Sequence, residues 1–245
     1  MTSTIERVAI VTGGSGGIGR ASALRLAADG TAVVVHYNRS KDRADDTVES
    51  ITKSGGRAVA AGGDISDEAE ATALFDAAER EFGAVDVLVH TAGIMPLSPI
   101  AQLDLDVFDR IHRVNVRGTF VVDKLAAQRL RPGGAIINFS TSITRLQAPT
   151  YGAYAASKGA VEAIALILAR ELRGRDITVN TIAPGPTSTP LFLEGKSPEL
   201  IEQIANNNPF QRLGAPEDIA EAVAFLAGPA RWVNGQTIFV NGGAA

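Results

Sequence analysis

Short apolar runs rich in β-branched residues alternate along this chain with longer stretches of mixed polarity. The apolar runs are Val8 to Val11, Ala32 to Val35, Arg57 to Ala60, Val85 to Val89, Ala135 to Phe139, Thr178 to Ile182 and Gln236 to Val240. Most are hydrophobic at successive positions rather than at every second one, which marks strands covered on both faces of a parallel sheet. Between them lie Arg20 to Asp29, Lys41 to Ser54, Glu68 to Phe82, Leu105 to Arg129, Tyr154 to Leu172 and Pro216 to Leu226, all predicted as helices. Regular strand–helix alternation predicts an α/β fold. The expected form is a doubly wound, mostly parallel seven-stranded sheet with helices on both faces and right-handed crossovers. With no linker, repeat or low-complexity tract, residues 1–245 read as a single domain. Thr187 to Gly214 breaks the rhythm. It is rich in Pro, Asn and Gly, and is expected to pass over one sheet edge as a substrate lid at about 187–214. Gly195 and the run Asn206-Asn207-Asn208 suggest that this lid moves.

Composition narrows the possibilities. At 245 residues and 45% hydrophobic, the chain can bury a sizeable core. A net charge of −4 and the lack of a basic run argue against a nucleic-acid partner. The absence of cysteine removes disulfides, thiol nucleophiles and thiolate metal sites. No leader-like segment precedes the first strand, and no apolar run approaches the ~20 residues of a membrane span. A soluble, cytoplasmic protein without a membrane partner is expected.

Two motifs carry chemistry. The first strand runs into Thr12-Gly13-Gly14-Ser15-Gly16-Gly17-Ile18-Gly19, followed by a helix. A glycine turn between a strand and a helix N-terminus lets the backbone approach a pyrophosphate and offers it free amides. The same loop contains Gly13-x-Ser15-x-Gly17, the pattern of a hydrolase nucleophile elbow. That chemistry needs a late histidine, and the only three are His36, His90 and His112. Gly195-Lys196-Ser197 looks like the end of a P-loop, but Pro190 stands where the earlier glycine is required. The second motif is Tyr154-Ala155-Ala156-Ser157-Lys158. In a helix the Tyr and Lys share one face. An ammonium beside a phenol favours the phenolate, so Lys158 is expected to draw the Tyr154 pKa down for acid–base work.

The end of the second strand bears on the choice of dinucleotide. Tyr37-Asn38-Arg39-Ser40 follows it, with no acidic residue before Asp42 to bind a ribose 2′-hydroxyl. Arg39 offers a planar fork to a 2′-phosphate and Ser40 a further hydrogen bond. NADP(H) is expected over NAD(H), which stays possible. Gly16 withholds the second basic contact that a charged side chain there would give.

Taken together, these motifs resemble those of the short-chain dehydrogenase/reductase family. The likeness spans nearly the whole chain. It rests on the glycine loop, Asn115 in Asn115-Val116-Arg117-Gly118, Tyr154 to Lys158, Asn180 to Gly185 with Thr189, and the closing Asn234-Gly235-Gln236 and Asn241-Gly242-Gly243. Within the family the chain is most similar to the 3-oxoacyl-thioester reductase and sugar-dehydrogenase branch. The resemblance implies a Rossmann-type fold and a tetrad. Tyr154 would be the acid–base residue. Lys158 would tune it and hold the nicotinamide ribose. Asn115 would anchor a relay water, and a hydroxyl after the fifth strand would bind the substrate oxygen. The family's Ser position is Thr141 here, flanked by Ser140 and Ser142. Thr141 has the right group on a stiffer side chain, and Ser142 could swing in where the strand ends, so both stay open. The family's Asn-Asn-Ala-Gly is His90-Thr91-Ala92-Gly93 here. His90 is expected to be buried and structural, with Ala92 and Gly93 allowing close approach to the cofactor ribose. Gly13, Ser15, Gly17, Ile18 and Gly19 would cradle the pyrophosphate. Asp64 and Ile65 would meet the adenine, although Asp64 also fits a simple turn. Pro184, Gly185, Thr187 and Thr189 would border the nicotinamide. No metal site is expected.

The implied function is NADPH-dependent reduction of a ketone or 3-oxoacyl carbonyl, reversible as alcohol oxidation. The alternative is NAD-dependent oxidation of a sugar or polyol. Ile94 to Leu97, Ile143 to Tyr151 and Leu191 to Gln211 are mostly apolar candidates for the substrate pocket. The family's habit suggests a homotetramer built through the helices of Asn115 and Tyr154. Trp232 is expected in the core or an interface.

Overall fold

The sheet is organised around β1 (Val8–Thr12), which is buried along its whole length. In this computed structural model, which describes residues 7–245, β1 pairs in parallel with β2 (Ala32–Tyr37) on one side and β4 (Val87–His90) on the other. β3 (Ala58–Gly62) continues beyond β2, while β5 (Ala135–Phe139), β6 (Thr178–Pro184) and β7 (Thr237–Val240) continue beyond β4. The order β3-β2-β1-β4-β5-β6-β7 is wholly parallel, as the unbroken apolar runs predict. The start of the chain, read as free of a leader, lies outside the described residues.

Helices α1 (Gly17–Ala28), α2 (Lys41–Lys53) and α10 (Pro216–Ala227) cover one face through residues such as Leu26, Ile51 and Val223. Helices α3 (Glu68–Phe82), α5 (Gly118–Arg129) and α7 (Gly152–Glu171) cover the other, led by Phe75, Val122 and Ala165. Alternate residues of each strand feed the two cores: Val8 and Ile10 of β1 enter one, Ala9 and Val11 the other. The strand order reverses direction between β1 and β4, so the crevice at their carboxyl ends is where a doubly wound sheet binds ligands.

Two elements depart from the sequence expectation. The stretch Leu105 to Arg129 is not one regular helix. α4 (Leu105–His112) runs into a π-helical turn, Arg113–Arg117, before α5 begins. Such a turn admits an extra residue into the helix and is common at functional sites. The Thr119 hydroxyl donates to the Asn115 carbonyl at 2.7 Å, serving an oxygen within the widened turn. The excursion Thr187 to Gly214 also has structure of its own. It holds α8 (Pro190–Leu193) and α9 (Pro198–Asn206), each with Pro in its first turn and a hydroxyl cap from Thr189 or Ser197. Its ends are stitched together where Ser188 N donates to Gly214 O at 2.8 Å. Asn208, only 8% exposed, donates to Asn241 O at 2.8 Å and accepts from Phe210 N. The asparagine run is therefore a tether at its last residue.

By length and mean hydropathy (1.3), α7 alone among the described helices would suit a bilayer. Here it packs on β5 and β6 and buries Tyr154 and Lys158, which accounts for its apolar character within this fold.

A buried carboxyl lies between α5 and the sheet. Asp123 is 2% exposed, and its Oδ2 accepts from Asn138 Nδ2 at 2.8 Å. Burial pushes the Asp123 carboxyl up to about 7, against the opposing pull of the Asn138 hydrogen bond. The unfolded chain releases this proton near pH ~4, so between pH ~4 and ~7 the folded state holds the extra proton. Stability from this group must therefore fall as pH rises through that window. We expect Asp123→Asn to flatten this part of the stability profile. Chemical denaturation of both proteins at pH ~5 and ~8 checks it; parallel profiles would show that Asp123 contributes no such linkage.

Candidate active site

β1 turns directly into the glycine loop, where Gly13 and Gly17 adopt positive φ (68° and 50°) that other residues rarely accept. A side chain at Gly19 would collide with the Gly13 carbonyl, so the first turn of α1 closes tightly on the loop. His36 at the end of β2 holds this turn. Its Nδ1 accepts from Gly13 N at 3.3 Å while Nε2 donates to Gly63 O at 2.8 Å. Its backbone carbonyl accepts from Gly14 N at 2.9 Å. Burial pushes the His36 pKa down, keeping the ring neutral and able to accept. This role leaves no mark in the sequence, because the partners are backbone atoms. Ser15 and Ile18 lie in the same turn, half-buried.

Across the crevice, β4 ends in His90 and the turn Thr91-Ala92-Gly93. The Thr12 hydroxyl accepts from Ala92 N at 3.2 Å and meets His90 Nδ1 at 2.8 Å. His90 is pushed down to about 3 by burial, then by Lys158 and His36. It is a neutral residue tying the two loops together, through a side-chain hydroxyl rather than backbone. Gly93 has no room for a side chain without crowding Asn115 and Lys158: a Cβ would lie 3.2 Å from Asn115 Oδ1 and 3.5 Å from Lys158 Nζ.

The π turn delivers Asn115 to this point. Its Oδ1 accepts from Ile94 N at 2.9 Å, and its Nδ2 donates to Ile94 O at 2.9 Å and to Ser157 Oγ at 3.0 Å. Ser157 in turn donates to Tyr154 O at 2.7 Å. Asn115 thus locks the β4 loop to α7 between Tyr154 and Lys158. Ser157 is a participant that the sequence reading passed over.

Tyr154 and Lys158 share one face of α7, with Lys158 Nζ 6.0 Å from the centre of the Tyr154 ring. Both are buried, and Lys158 Nζ donates to Phe139 O, the last residue of β5, at 2.8 Å. Their electrostatics differ from the expected picture. Burial pushes Tyr154 up to about 12; a hydrogen bond with Thr141 pulls the other way and Tyr151 adds to the rise. Burial likewise pushes Lys158 down to about 8. In a dry site each group favours its neutral form, and this outweighs their mutual attraction at the observed separation. Lys158 does not draw the phenol down in this state.

The structure separates the three hydroxyls after β5. Thr141, half-buried, is the one whose side chain acts on the Tyr154 phenol, pulling its pKa down against burial. Ser142 is 1% exposed and turned away: its hydroxyl donates to Ala183 O at 3.3 Å and accepts from Asn241 Nδ2 at 3.2 Å. Ser140 donates to Glu162 Oε1, which also accepts from the Thr144 hydroxyl at 3.2 Å. Glu162 therefore ties both sides of the Thr141 loop to α7.

At the cofactor periphery the expected residues take mixed positions. Asn38 and Arg39 are exposed beyond β2, with Tyr37 and Ser40 partly so. Asp64 caps its own turn, accepting from Ser66 N at 2.9 Å and Ser66 Oγ at 2.7 Å. Burial alone would raise its pKa, but these hydrogen bonds and Arg113 bring it below the usual carboxylate value. The Ile65 side chain packs in the core against Gly118. Pro184 ends β6, and its carbonyl accepts from Ser142 N at 2.8 Å. Gly185 N donates to Val240 O at 3.0 Å. The buried Thr187 donates its hydroxyl to Gly185 O at 2.9 Å. The Thr189 hydroxyl caps α8 and its methyl faces Gly17, where a Cβ would lie 3.2 Å away. This brings the excursion down onto the glycine loop. Trp232 is fully exposed, which removes the core reading for it.

These features have counterparts in known proteins. The protein-family model described as "Enoyl-(Acyl carrier protein) reductase" matches residues 13–245. An Arabidopsis thaliana protein named "NADPH-dependent aldehyde reductase-like protein, chloroplastic" is 46% identical, covering 97% of this chain and 93% of that protein. A short-chain dehydrogenase of Burkholderia cenocepacia solved in complex with NADP superposes with a TM-score of 0.91 at 37% identity, covering 98% of both chains. The angucycline C-6 ketoreductase LanV with bound NADP gives 0.91 at 38% identity, over 98% of this chain and 96% of that one. With the glycine loop, Asn115, Tyr154 and Lys158 converging on one crevice, this chain belongs to the short-chain dehydrogenase/reductase family of NAD(P)-dependent oxidoreductases.

Proposed function

We propose that this protein reduces aldehydes or ketones with NADPH, by a tetrad of Asn115, Thr141, Tyr154 and Lys158. The observation that carries the reading is the placement of Tyr154 and Lys158 on one face of α7, Lys158 beside Gly93, with the Thr141 side chain acting on the Tyr154 phenol. Two hydroxyls converging there can hold one carbonyl oxygen. The crevice fits a dinucleotide: Gly13, Gly17, Gly19 and Gly93 keep side chains out of it, and the end of β2 presents Arg39 rather than a carboxylate. The similarity to an NADPH-dependent aldehyde reductase and to NADP-bound structures supports the same cofactor. NADPH when bound supplies hydride to the carbonyl carbon. The chain's own residues handle the oxygen. Thr141 and Tyr154 donate hydrogen bonds to it as negative charge builds, and Tyr154 Oη gives up its proton. The Lys158 ammonium, fixed on Phe139 O, stands by to stabilise the phenolate that forms. Asn115 keeps the β4 loop and α7 in register.

Leu146, Leu191 and Phe210 are exposed around the crevice, and Met95 and Phe192 are partly so. These surfaces favour an apolar aldehyde or ketone over a free sugar. The excursion at 187–214 acts as the lid, hinged where its stitched ends meet. Phe120 on α5 and Leu166 and Ile167 on α7 leave an apolar face uncovered, and Phe225 and Trp232 leave another. Two separate faces suit a homotetramer with two kinds of two-fold contact. Sedimentation should show four chains, and charged substitutions at Phe120 and Ile167 should reduce the assembly to dimers. A monomeric wild type would refute this arrangement.

With a panel of aldehydes and ketones, NADPH should be oxidised much faster than NADH at equal concentration. Tyr154→Phe should lower kcat by ~1,000-fold or more while NADPH still binds. Thr141→Ala should cost ~100-fold in kcat, the scale of losing one donor to a developing oxyanion, and Ser142→Ala far less. A Ser142→Ala loss equal to that of Thr141→Ala would refute the assignment. The free enzyme should also show no Tyr154 phenolate at neutral pH, since burial holds the phenol high. Ultraviolet titration of wild type against Tyr154→Phe measures this. A phenolate already present at pH ~7 would mean that Lys158 tunes the phenol without the cofactor.

A further inference from the structure

The glycine loop carries no charged side chain from Thr12 to Gly19, so selectivity for a 2′-phosphate must come from its neighbours. Arg39 is one such neighbour. A second lies one turn into α2. The Thr47 hydroxyl bonds both Gly14 O (3.3 Å) and Arg43 O (3.0 Å), which pins the start of α2 against the loop. That contact places the Arg43 guanidinium beside Gly16. A Cβ at Gly16 would have one neighbour within 4 Å, and it is Arg43 Nη1 at 3.8 Å.

The direction of the guanidinium is set by Ser40. Ser40 stands at the N-cap of α2 but makes no side-chain cap hydrogen bond. Its Oγ instead accepts from Arg43 Nη2 at 2.6 Å. The partner is a neutral hydroxyl, so the Arg43 charge is left uncompensated. Other basic side chains on α2 are neutralised: Lys41 pairs with Asp45 at 2.6 Å and Lys53 with Glu49 at 2.8 Å. Among the described residues, neither Arg39 nor Arg43 is paired with a carboxylate. Two guanidinium groups without a carboxylate partner thus lie near the end of β2: Arg39, exposed beyond the strand, and Arg43, beside the open space at Gly16.

We propose that Arg43 is a second specificity-determining residue, gripping the 2′-phosphate together with Arg39 across the space that Gly16 leaves open. This rests on the NADPH reading above and deepens it. The site takes a doubly charged phosphate monoester on a ribose; Arg43 supplies planar donors and Ser40 orients them. The chemistry is unaffected, because Arg43 lies across the glycine loop from Tyr154 and Lys158.

Calorimetric titration with adenosine 2′,5′-bisphosphate, adenosine 5′-diphosphate, NADPH and NADH tests the proposal. Arg43→Gln should weaken adenosine 2′,5′-bisphosphate and NADPH about tenfold or more, the scale of one charge-assisted contact, while leaving the other two unchanged. The KM for NADPH should rise with kcat at saturation unaltered. Arg43→Lys should recover part of the loss. Gly16→Arg added to Arg43→Gln should restore NADPH binding by placing a guanidinium in the same space. Unfolding midpoints of the variants serve as a control for folding. If Arg43→Gln weakens NADH as much as NADPH, or leaves the preference for NADPH intact, Arg43 has no such role. If wild type itself binds the bisphosphate no better than the diphosphate, the NADPH reading fails first and carries this inference with it.

Discussion

A buried ammonium governs the design of this site. Lys158 is 5% exposed, and its one hydrogen bond goes to the carbonyl that ends β5. A charge so placed is costly unless its surroundings are fixed, because the low dielectric penalises every small loss of contact. The neighbouring elements supply that rigidity. Asn115 joins the β4 loop to Ser157, Ser157 holds the Tyr154 carbonyl, and Glu162 ties the Thr141 loop to the same helix. The price is that Tyr154 and Lys158 both lean towards neutrality in the absence of a bound ligand. The phenol is thus positioned in its neutral form beside an amine held near 8, and the last electrostatic adjustment is left to whatever enters the crevice.

The same logic runs across the sheet. Thr12, His90, Asn138 and Thr181 occupy matching positions on four adjacent strands, so their side chains share one face near the carboxyl end. They form a buried polar layer between the apolar core below and the reactive groups above. Among the described residues, several atoms in it (His90 Nε2, Asn138 Oδ1, Thr181 Oγ1) have no hydrogen-bond partner, and neither does Asp123 Oδ1 on α5. A purely structural core would not retain them without compensation. Their position, one layer beneath Lys158 and the cofactor loops, is where a site that handles charge gains from nearby dipoles.

The sequence made the framework legible because parallel strands buried on both faces leave continuous apolar runs, and because glycines and a Tyr-x-x-x-Lys spacing are local signals. It was less informative wherever the deciding contact is long-range. The π turn that aims Asn115 leaves no mark in the pattern of Leu105 to Arg129, since a helix with one inserted residue keeps nearly the same polarity. Thr141 and Ser142 could not be told apart because the backbone turn that follows Phe139 decides which hydroxyl meets Tyr154 and which meets Asn241. The burial of Ile65 against Gly118 joins residues more than fifty positions apart and leaves no local mark. Motif spacing reports a neighbour but not the dielectric around both groups, so the rise of Tyr154 through burial in the unliganded site was not visible in it.

His36 links the two halves of the site. In the proposed reading, hydride chemistry is assembled from β4, β5 and α7, whereas the charges suited to recognising a nucleotide phosphate lie at the end of β2 and the start of α2. The glycine loop has no charged side chain, and much of its position is set by residues outside it. His36 bonds Gly13 on one side and Gly63 on the other, and Thr47 bonds Gly14. A loop held by its backbone keeps its surface clear for close approach while its position is fixed from outside. In the proposed reading this separation lets the residues beyond β2 set cofactor preference without moving Thr141, Tyr154 or Lys158. Where the loop gives up a charged side chain at position 16, the helix behind it is well placed to provide one.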